Sequence, residues 1–146
     1  MAITFTNNWK NILDKLQSIF RKEFRGILKV NIGKLNDIIG TQYLEIIPTG
    51  SELIDYNVKS ETREYSIDIN VYFHEKNNNK IILENILRYI ARIEALVHDN
   101  VSMTLSDSTK VYNCRIESTV LDEEVEEDDI YLVKLTYKCL YMGNLD

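Results

Sequence analysis

The chain has 146 residues, 45% of them hydrophobic and 27% charged, with a formal net charge of −6. These values fit a single globular domain over residues 1–146, and a net acidic chain is a poor general binder of nucleic acid. The apolar runs are too short for a membrane span, and no basic region followed by a hydrophobic one marks a secretory signal. We therefore expect a protein that stays in the cytoplasm where it is made.

The N-terminal segment predicts an amphipathic helix. From Trp9 to Phe20 the apolar residues recur at helical spacing, and residues 6–8 (Thr, Asn, Asn) offer side-chain oxygens that can cap the start of the helix. We expect the helix to end near residues 24–26. Residues 27–32 fit either a strand or an irregular crossing, and the region of Gly33 and Gly40 is predicted as loop.

Two strands are predicted in the centre of the chain. Residues 43–47 are rich in strand-forming types and stop at Pro48, which is followed by a Thr-Gly turn signal. Residues 51–60 are polar and weakly patterned. Residues 63–73 then alternate cleanly between apolar side chains and a polar set, which predicts a strand with one buried and one solvated face. The solvated set is Glu64, Ser66, Asp68, Asn70 and Tyr72.

The period changes to helical after a polar loop at residues 74–80. An apolar stripe then predicts a second helix over residues 81–99. Its members are Leu83, Ile86, Leu87, Ile90, Ile93 and Val97. An amphipathic helix and a sheet with one apolar face each need a cover, so we expect them to cover each other.

The segment from Val111 to Met142 predicts a hairpin whose two arms alternate with period two. The face of the first arm that we expect to be buried holds Tyr112, Cys114, Ile116 and Val120. The buried face of the second arm holds Tyr131, Val133, Leu135, Tyr137, Cys139 and Tyr141. Between the arms, residues 122–129 carry seven acids in eight positions, too self-repelling to enter a core. A register that pairs position 114 with 139 would make the two thiols neighbours.

These elements predict an α+β fold: an antiparallel sheet with two helices packed on one face, in the order helix-strand-strand-helix-hairpin. The other face of the sheet would be polar. The chain shows no repeat, no low-complexity tract and no linker that would divide the domain.

No motif in the chain predicts catalysis. His74-Glu75 begins like a metalloprotease motif, but Asn78 stands where the second histidine should be. Asp68 lacks a downstream Glu-x-Lys of a metal-dependent nuclease, and no phosphate loop or nucleophile elbow is present. Two cysteines are too few for a zinc site without distant histidines. We predict that the protein is not an enzyme and has no catalytic residues, cofactor or metal site.

The charges are segregated along the chain. Residues 1–34 carry seven basic and two acidic residues, a local charge of +5, whereas residues 101–146 carry four basic and ten acidic residues, a local charge of −6. Such asymmetry suits head-to-tail contact between copies of one chain.

The order of elements resembles the tail terminator (tail completion) proteins of long-tailed bacteriophages. The resemblance covers about residues 9–142. It rests on the N-terminal helix, the strands at residues 43–48 and 63–73, the helix at residues 81–99 and the closing tyrosine-rich hairpin.

The resemblance implies a structural virion protein of the tail and neck, assembled in the host cytoplasm. Such proteins form a ring, typically a homohexamer, that stops polymerisation of the tail tube and joins the tail to the head and neck. The implied partners are other copies of the chain, the tail tube and neck or connector proteins. DNA would only pass through the channel, and no membrane is involved.

The charge segregation suggests which residues meet in such a ring. The candidate contacts are Lys15, Arg21 and Lys22 on one side and Glu123, Glu124, Glu126, Glu127, Asp128 and Asp129 on the other. The alternative is that the acidic tip is solvated or faces the DNA channel, where it would keep DNA from sticking.

Two rival functions remain. The first is another head-tail connector or head-closure protein, which would co-purify with the head rather than with the tail tube. The second is a cytoplasmic regulatory or nucleic-acid-binding α+β domain, which would need a basic, aromatic sheet face. The predicted solvated face instead offers Glu64 and Asp68.

Overall fold

A computed structural model describes residues 7–33, 42–74, 79–122 and 130–144. The described chain forms two helices and six strands. The elements are α1 (Asn8–Glu23), β1 (Lys29–Ile32), β2 (Gln42–Tyr56), β3 (Ser60–His74), α2 (Asn79–Asp99), β4 (Met103–Thr104), β5 (Lys110–Asp122) and β6 (Ile130–Asn144).

The six strands form one sheet in the order β1-β2-β3-β6-β5-β4. All neighbours are antiparallel except β1, which pairs with β2 in parallel. The α+β prediction is confirmed, but the predicted order of elements is not matched, because β1 and β4 are additional. These strands have four and two residues, too few to produce a readable alternation.

Helix α1 begins and ends as predicted. The side-chain oxygen of Asn7 accepts a hydrogen bond from the backbone N–H of Lys10 at 3.0 Å, which caps the first turn. Trp9 meets the ring of Tyr65 edge to face at 4.7 Å and fastens the helix to β3. Gly26, at φ +76°, allows the chain to turn sharply from the helix towards β1.

One hydrophobic core joins both helices to the same face of the sheet. Helix α1 packs over β1 and β2, and α2 packs over β5. Strand β6 has the predicted alternation, with Leu135 and Tyr137 fully buried and Lys134 exposed. The helices are also joined directly, since the guanidinium of Arg92 binds the Glu23 carboxylate at 2.8 Å and lies 4.8 Å from the Phe24 ring centre.

The predicted stripe of α2 is too wide. Its inner members, Ile86, Ile90, Ile93 and Val97, are buried, whereas Leu83 and Leu87 are 47% and 48% exposed. The prediction that both leucines face the core is therefore wrong. The reason is geometric: i, i+4, i+7 and i+11 define one narrow line towards the sheet, and Leu83 and Leu87 lie beside it.

The predicted end of β2 at Pro48 is also wrong. The strand continues to Tyr56, with register shifts between Pro48 and Gly50 and between Leu53 and Asp55. Strand β1 pairs with β2 only as far as Ile46. Beyond that point, one side of β2 is an edge within the described sheet, where a proline and bulges are tolerated.

Strand β5 departs from simple alternation. Register shifts fall between Tyr112 and Arg115 and between Ile116 and Ser118, and Asn113 has φ +53°. As a result Val111 is fully buried, Tyr112 is not, and Val120 is 55% exposed. The predicted inner face of this arm is correct only at Cys114 and Ile116, because each bulge moves the following residues to the other face.

The outer face of the sheet is polar but not uniformly solvated. Glu45 and Asn70 are buried there, beside the stacked rings of Tyr43 and Tyr72, whose centres are 4.6 Å apart. Asn70, predicted to be solvated, is therefore an exception. It lies in the middle of β3, directly opposite Glu45 on β2 and Lys134 on β6.

Candidate functional site

The structure places only part of the predicted contact set. Glu123, Glu124, Glu126, Glu127, Asp128 and Asp129 lie outside the described residues. Of the basic members, Arg21 and Lys22 lie together at the end of α1, whereas Lys15 is half-buried and does not join them. The pairing of the basic helix with the acidic tip stays a prediction.

Arg21 and Lys22 line a cleft of about 560 Å³ between the end of α1 and β1, which we call the basic cleft. Its lining residues are Arg21, Lys22, Arg25, Gly26, Leu28, Lys29 and Val30. Four of these are cationic and none is acidic. Leu28 and Val30 are buried and form an apolar floor, whereas the four cations are exposed.

The cations of the basic cleft are available for a partner. The only acid on the last turn of α1, Glu23, is bound by Arg92 and so does not neutralise them. Arg21 donates a hydrogen bond to the Val30 carbonyl at 3.3 Å, which holds its guanidinium at the rim. Within the described ranges no ion pair involves Lys22, Arg25 or Lys29. The sequence indicated a basic N-terminal region, but not that Arg25 and Lys29 converge with the helix.

A second surface was missed by the sequence analysis. Residues 51–61, the connected ends of β2 and β3, extend beyond the helices, and we call them the β2–β3 arm. Its apolar side chains are Leu53, Ile54, Tyr56 and Val58, which are 45%, 52%, 65% and 92% exposed. Leu53 and Ile54 are adjacent and the segment is otherwise mostly polar, so it shows no consistent alternation that would predict a strand with a buried face.

The tip of the β2–β3 arm is a hydrogen-bonded turn. The side-chain oxygen of Asn57 accepts hydrogen bonds from the backbone N–H groups of Lys59 and Ser60, each at 2.9 Å. The Asn57 N–H in turn donates to the Ser60 carbonyl at 2.9 Å. This asparagine-centred turn presents Val58 at the apex.

An ion-pair network crosses the outer face of the sheet. Arg115 binds Glu64 at 2.9 Å and Glu117 at 2.8 Å, and Lys138 lies 3.7 Å and 3.4 Å from the same two carboxylates. Hydrogen bonding from Arg115 lowers the pKa of Glu117. The two acids are thus held as anions by two cations, which suits fixing the register of β3, β6 and β5 better than acid-base chemistry.

We expect Arg115→Met to destabilise the fold by about 1–3 kcal/mol. The Glu64 carboxylate is only 14% exposed, and the substitution would leave it with one cation, Lys138, at 3.7 Å. Urea unfolding at neutral pH measures the loss. Lys10→Met is the matched control, since it removes the exposed Lys10–Asp14 pair and should change nothing measurable. Equal effects of the two substitutions would contradict a structural role for the network.

The two cysteines are neighbours in the core. Both are free and buried, and they lie close enough to influence each other's ionisation. Hydrogen bonding from Cys139 lowers the pKa of Cys114, whereas the pKa of Cys139 is raised by the same contact and by burial. The Tyr137 hydroxyl is buried against both thiols, and burial raises its pKa well above the ordinary value. The cluster belongs to the core, with Cys114 alone reaching a shallow cleft between α2 and β5.

Comparison of the sequence with known protein families and with curated proteins gives no match. In the part of the chain that the structure describes, no three His, Cys, Asp or Glu side chains are grouped to hold a metal ion. No described helix is long and apolar enough to cross a membrane. Among the described residues, the structure presents two candidate surfaces, the basic cleft and the β2–β3 arm.

Proposed function

We propose that the protein is a structural virion component that resembles a phage tail terminator. It would assemble into a ring of identical copies, and the family resemblance alone sets their number at six. The ring would cap the tail tube and join it to the head and neck. DNA would pass through the channel of the ring without being bound. No cofactor or reaction is part of the proposal.

The observation that carries the proposal is the β2–β3 arm. Residues 51–59 are all exposed, whereas residues 43–46 of the same strand are buried. A monomer gains nothing from four exposed apolar side chains on one projecting hairpin, since contiguous exposed apolar surface favours association. Such an arm is expected of a subunit that buries it in an assembly.

The sheet supports the same proposal. Its long hairpins, β2 with β3 and β5 with β6, are joined through β3 and β6 into one continuous surface. The ion-pair network stiffens that surface, and the helices cover only its other face. A stiff sheet that carries a projecting arm suits a building block whose neighbours must be held in a fixed geometry.

The proposal is tested with purified protein and tail tubes of the same phage. We expect negative-stain images to show rings, and tubes polymerised in the presence of the protein to be shorter and to carry a ring at one end. Heads added to capped tubes should then join them. Binding to heads without binding to tubes would indicate a head-closure protein instead. A chain that stays monomeric and leaves tube length unchanged would contradict the proposal.

A further inference from the structure

We infer that the β2–β3 arm of one copy docks in the basic cleft of the next copy. This inference rests on the proposed assembly and names its two contact surfaces. It differs from the pairing predicted from sequence, because it places the arm, and not the acidic segment at residues 122–129, in the cleft.

The first argument is position. Lys29 in the cleft pairs with Tyr43 at the start of β2, whereas β2 ends within the arm at Tyr56, thirteen residues further along the same strand. At the usual rise of a strand, the two surfaces are roughly 40 Å apart. One copy cannot join its own arm to its own cleft. Contact must be between copies and head-to-tail, the arrangement that generates rings or filaments.

The second argument is charge. Residues 51–61 contain three acids, Glu52, Asp55 and Glu61, and one base, Lys59, which gives a net charge of −2. Glu61 pairs with Arg63 at 3.9 Å, so Glu52 and Asp55 are the acids that the arm offers to a partner. The lining of the basic cleft contributes four cations and no acid, a charge of +4. Opposite charges on the two surfaces attract the correct partner and disfavour arm-to-arm or cleft-to-cleft contact.

The third argument is the apolar match. The floor of the basic cleft is Leu28 and Val30, and Ile27 beside it is 40% exposed. A cleft of this volume accepts a few side chains and not a whole domain. The arm presents Val58 at its apex and Tyr56 beside it, with Leu53 and Ile54 further back along β2. A convex apolar tip with acidic flanks therefore meets a concave apolar floor with a basic rim.

The fourth argument is preorganisation. The turn at Asn57 is closed by hydrogen bonds in the free copy, so docking need not order the tip. A nucleic-acid backbone could satisfy the cations of the cleft, but it would leave the apolar arm unexplained. Leu83 and Leu87 on α2 offer a second exposed apolar surface. The basic cleft is favoured over it because its four cations attract the acidic side chains of the arm.

The inference is tested by cross-linking two variants, Val58→Cys and Lys29→Cys, with a short bis-maleimide. The native cysteines are 3% and 0% exposed and should not react. We expect a cross-linked dimer when the two variants are mixed and much less with either variant alone. Leu87→Cys, 48% exposed and remote from the arm, replaces Val58→Cys in the matched control.

Two outcomes would overturn the inference. One is a yield with Val58→Cys no higher than with Leu87→Cys. The other is efficient cross-linking of Lys29→Cys to Glu126→Cys in place of Val58→Cys, which would make the acidic segment the occupant of the cleft.

Charge reversal gives a second measurement. Arg25→Glu with Lys29→Glu should weaken self-association by about tenfold or more at low salt, and Glu52→Lys with Asp55→Lys on the neighbouring copy should restore it. Sedimentation velocity measures both. The charge match would be refuted if the Arg25→Glu, Lys29→Glu variant associates as strongly as the parent chain. It would also be refuted if the two lysine substitutions on the arm do not restore association.

The failure of this inference can be distinguished from failure of the proposed function. Rings that cap tubes but give no arm-to-cleft cross-link would leave the proposed function standing and refute the inference. Open chains that cross-link through arm and cleft but never cap a tube would support the inference and refute the proposed function.

Discussion

Replacing Ile93 with alanine is expected to lower the free energy of unfolding by about 2–5 kcal/mol. Ile93 lies in the middle of α2 and is 0% exposed, within the core that joins both helices to the sheet. Truncation removes buried methyl groups and leaves a cavity that a stiff sheet cannot close by moving. Urea unfolding measures the loss as a lower midpoint, and an unchanged slope would show that the folded and unfolded states are otherwise the same.

Leu87→Ala is the matched control for Ile93→Ala. It removes a side chain of similar size from the same helix, but Leu87 is 48% exposed, so we expect a loss of less than about 1 kcal/mol. The sequence pattern placed the two residues in one buried stripe and predicts equal losses. Equal losses would therefore show that α2 is rotated from the orientation described, with Leu87 towards the sheet.

The elements that could be predicted from sequence are those with one buried face. Helix α1, strand β3 and strand β6 each place apolar residues on one side over several turns or pleats, so the period survives in the sequence. A slip of one residue in β6 would expose Leu135 and Tyr137 together, which makes its register legible.

The elements that could not be predicted break that condition. The outer half of β2 is exposed on both faces, so its side chains follow no alternation, and Pro48 imitates a strand end. The bulges in β5 move Tyr112 and Val111 to faces opposite to those predicted by simple counting. By sequence, residues 27–32 fit either a strand or an irregular crossing, and β4 is not predicted. Both β1 and β4 form beside longer strands that offer unpaired backbone groups, a tertiary effect that local sequence does not carry.

The candidate surfaces show the same limit. Segregation of charge was visible in the composition of residues 1–34, but the convergence of Arg25 and Lys29 on one cleft depends on the turn at Gly26. The β2–β3 arm is missed because exposure cannot be read from a mixed segment. In the structure the pairing of β2 with β3 continues to Tyr56 and Glu61, and this long hairpin carries Val58 away from the core.

Raising the pH above about 9 should destabilise the fold steeply. The ordinary pKa values of cysteine and tyrosine are 9.0 and 10.0. In the folded chain burial raises the pKa of Tyr43, Tyr137 and Tyr141, and burial together with the Glu45 carboxylate raises the pKa of Tyr72 to about 12. Hydrogen bonding to Cys114 and burial raise the pKa of Cys139.

The sign follows from proton counting. Between the ordinary and the raised pKa of each group, the unfolded chain has lost a proton that the folded chain keeps. Unfolding then releases protons, so the free energy of unfolding falls as pH rises, by about 1.4 kcal/mol per pH unit for each such group. The stabilisation is complete below the ordinary pKa values and disappears as pH passes through the raised ones. The lowered pKa of Cys114 acts in the opposite direction, but only below pH 9.

Tyr72→Phe isolates one contribution to this alkaline loss. Phenylalanine keeps the ring that stacks on Tyr43 at 4.6 Å but has no proton to lose. The free energy of unfolding, measured by urea titration from pH 8 to pH 12, should therefore fall less steeply for the variant. The difference in slope should be up to about 1.4 kcal/mol per pH unit above the ordinary tyrosine pKa. Repeating the series at high salt separates this effect from general repulsion on a chain of net charge −6, because salt screens that repulsion much more than it screens the contact of Tyr72 with the buried Glu45 carboxylate. A flat profile up to pH 12, or identical slopes for the variant and the parent chain, would show that Tyr72 ionises as freely in the fold as in the unfolded chain.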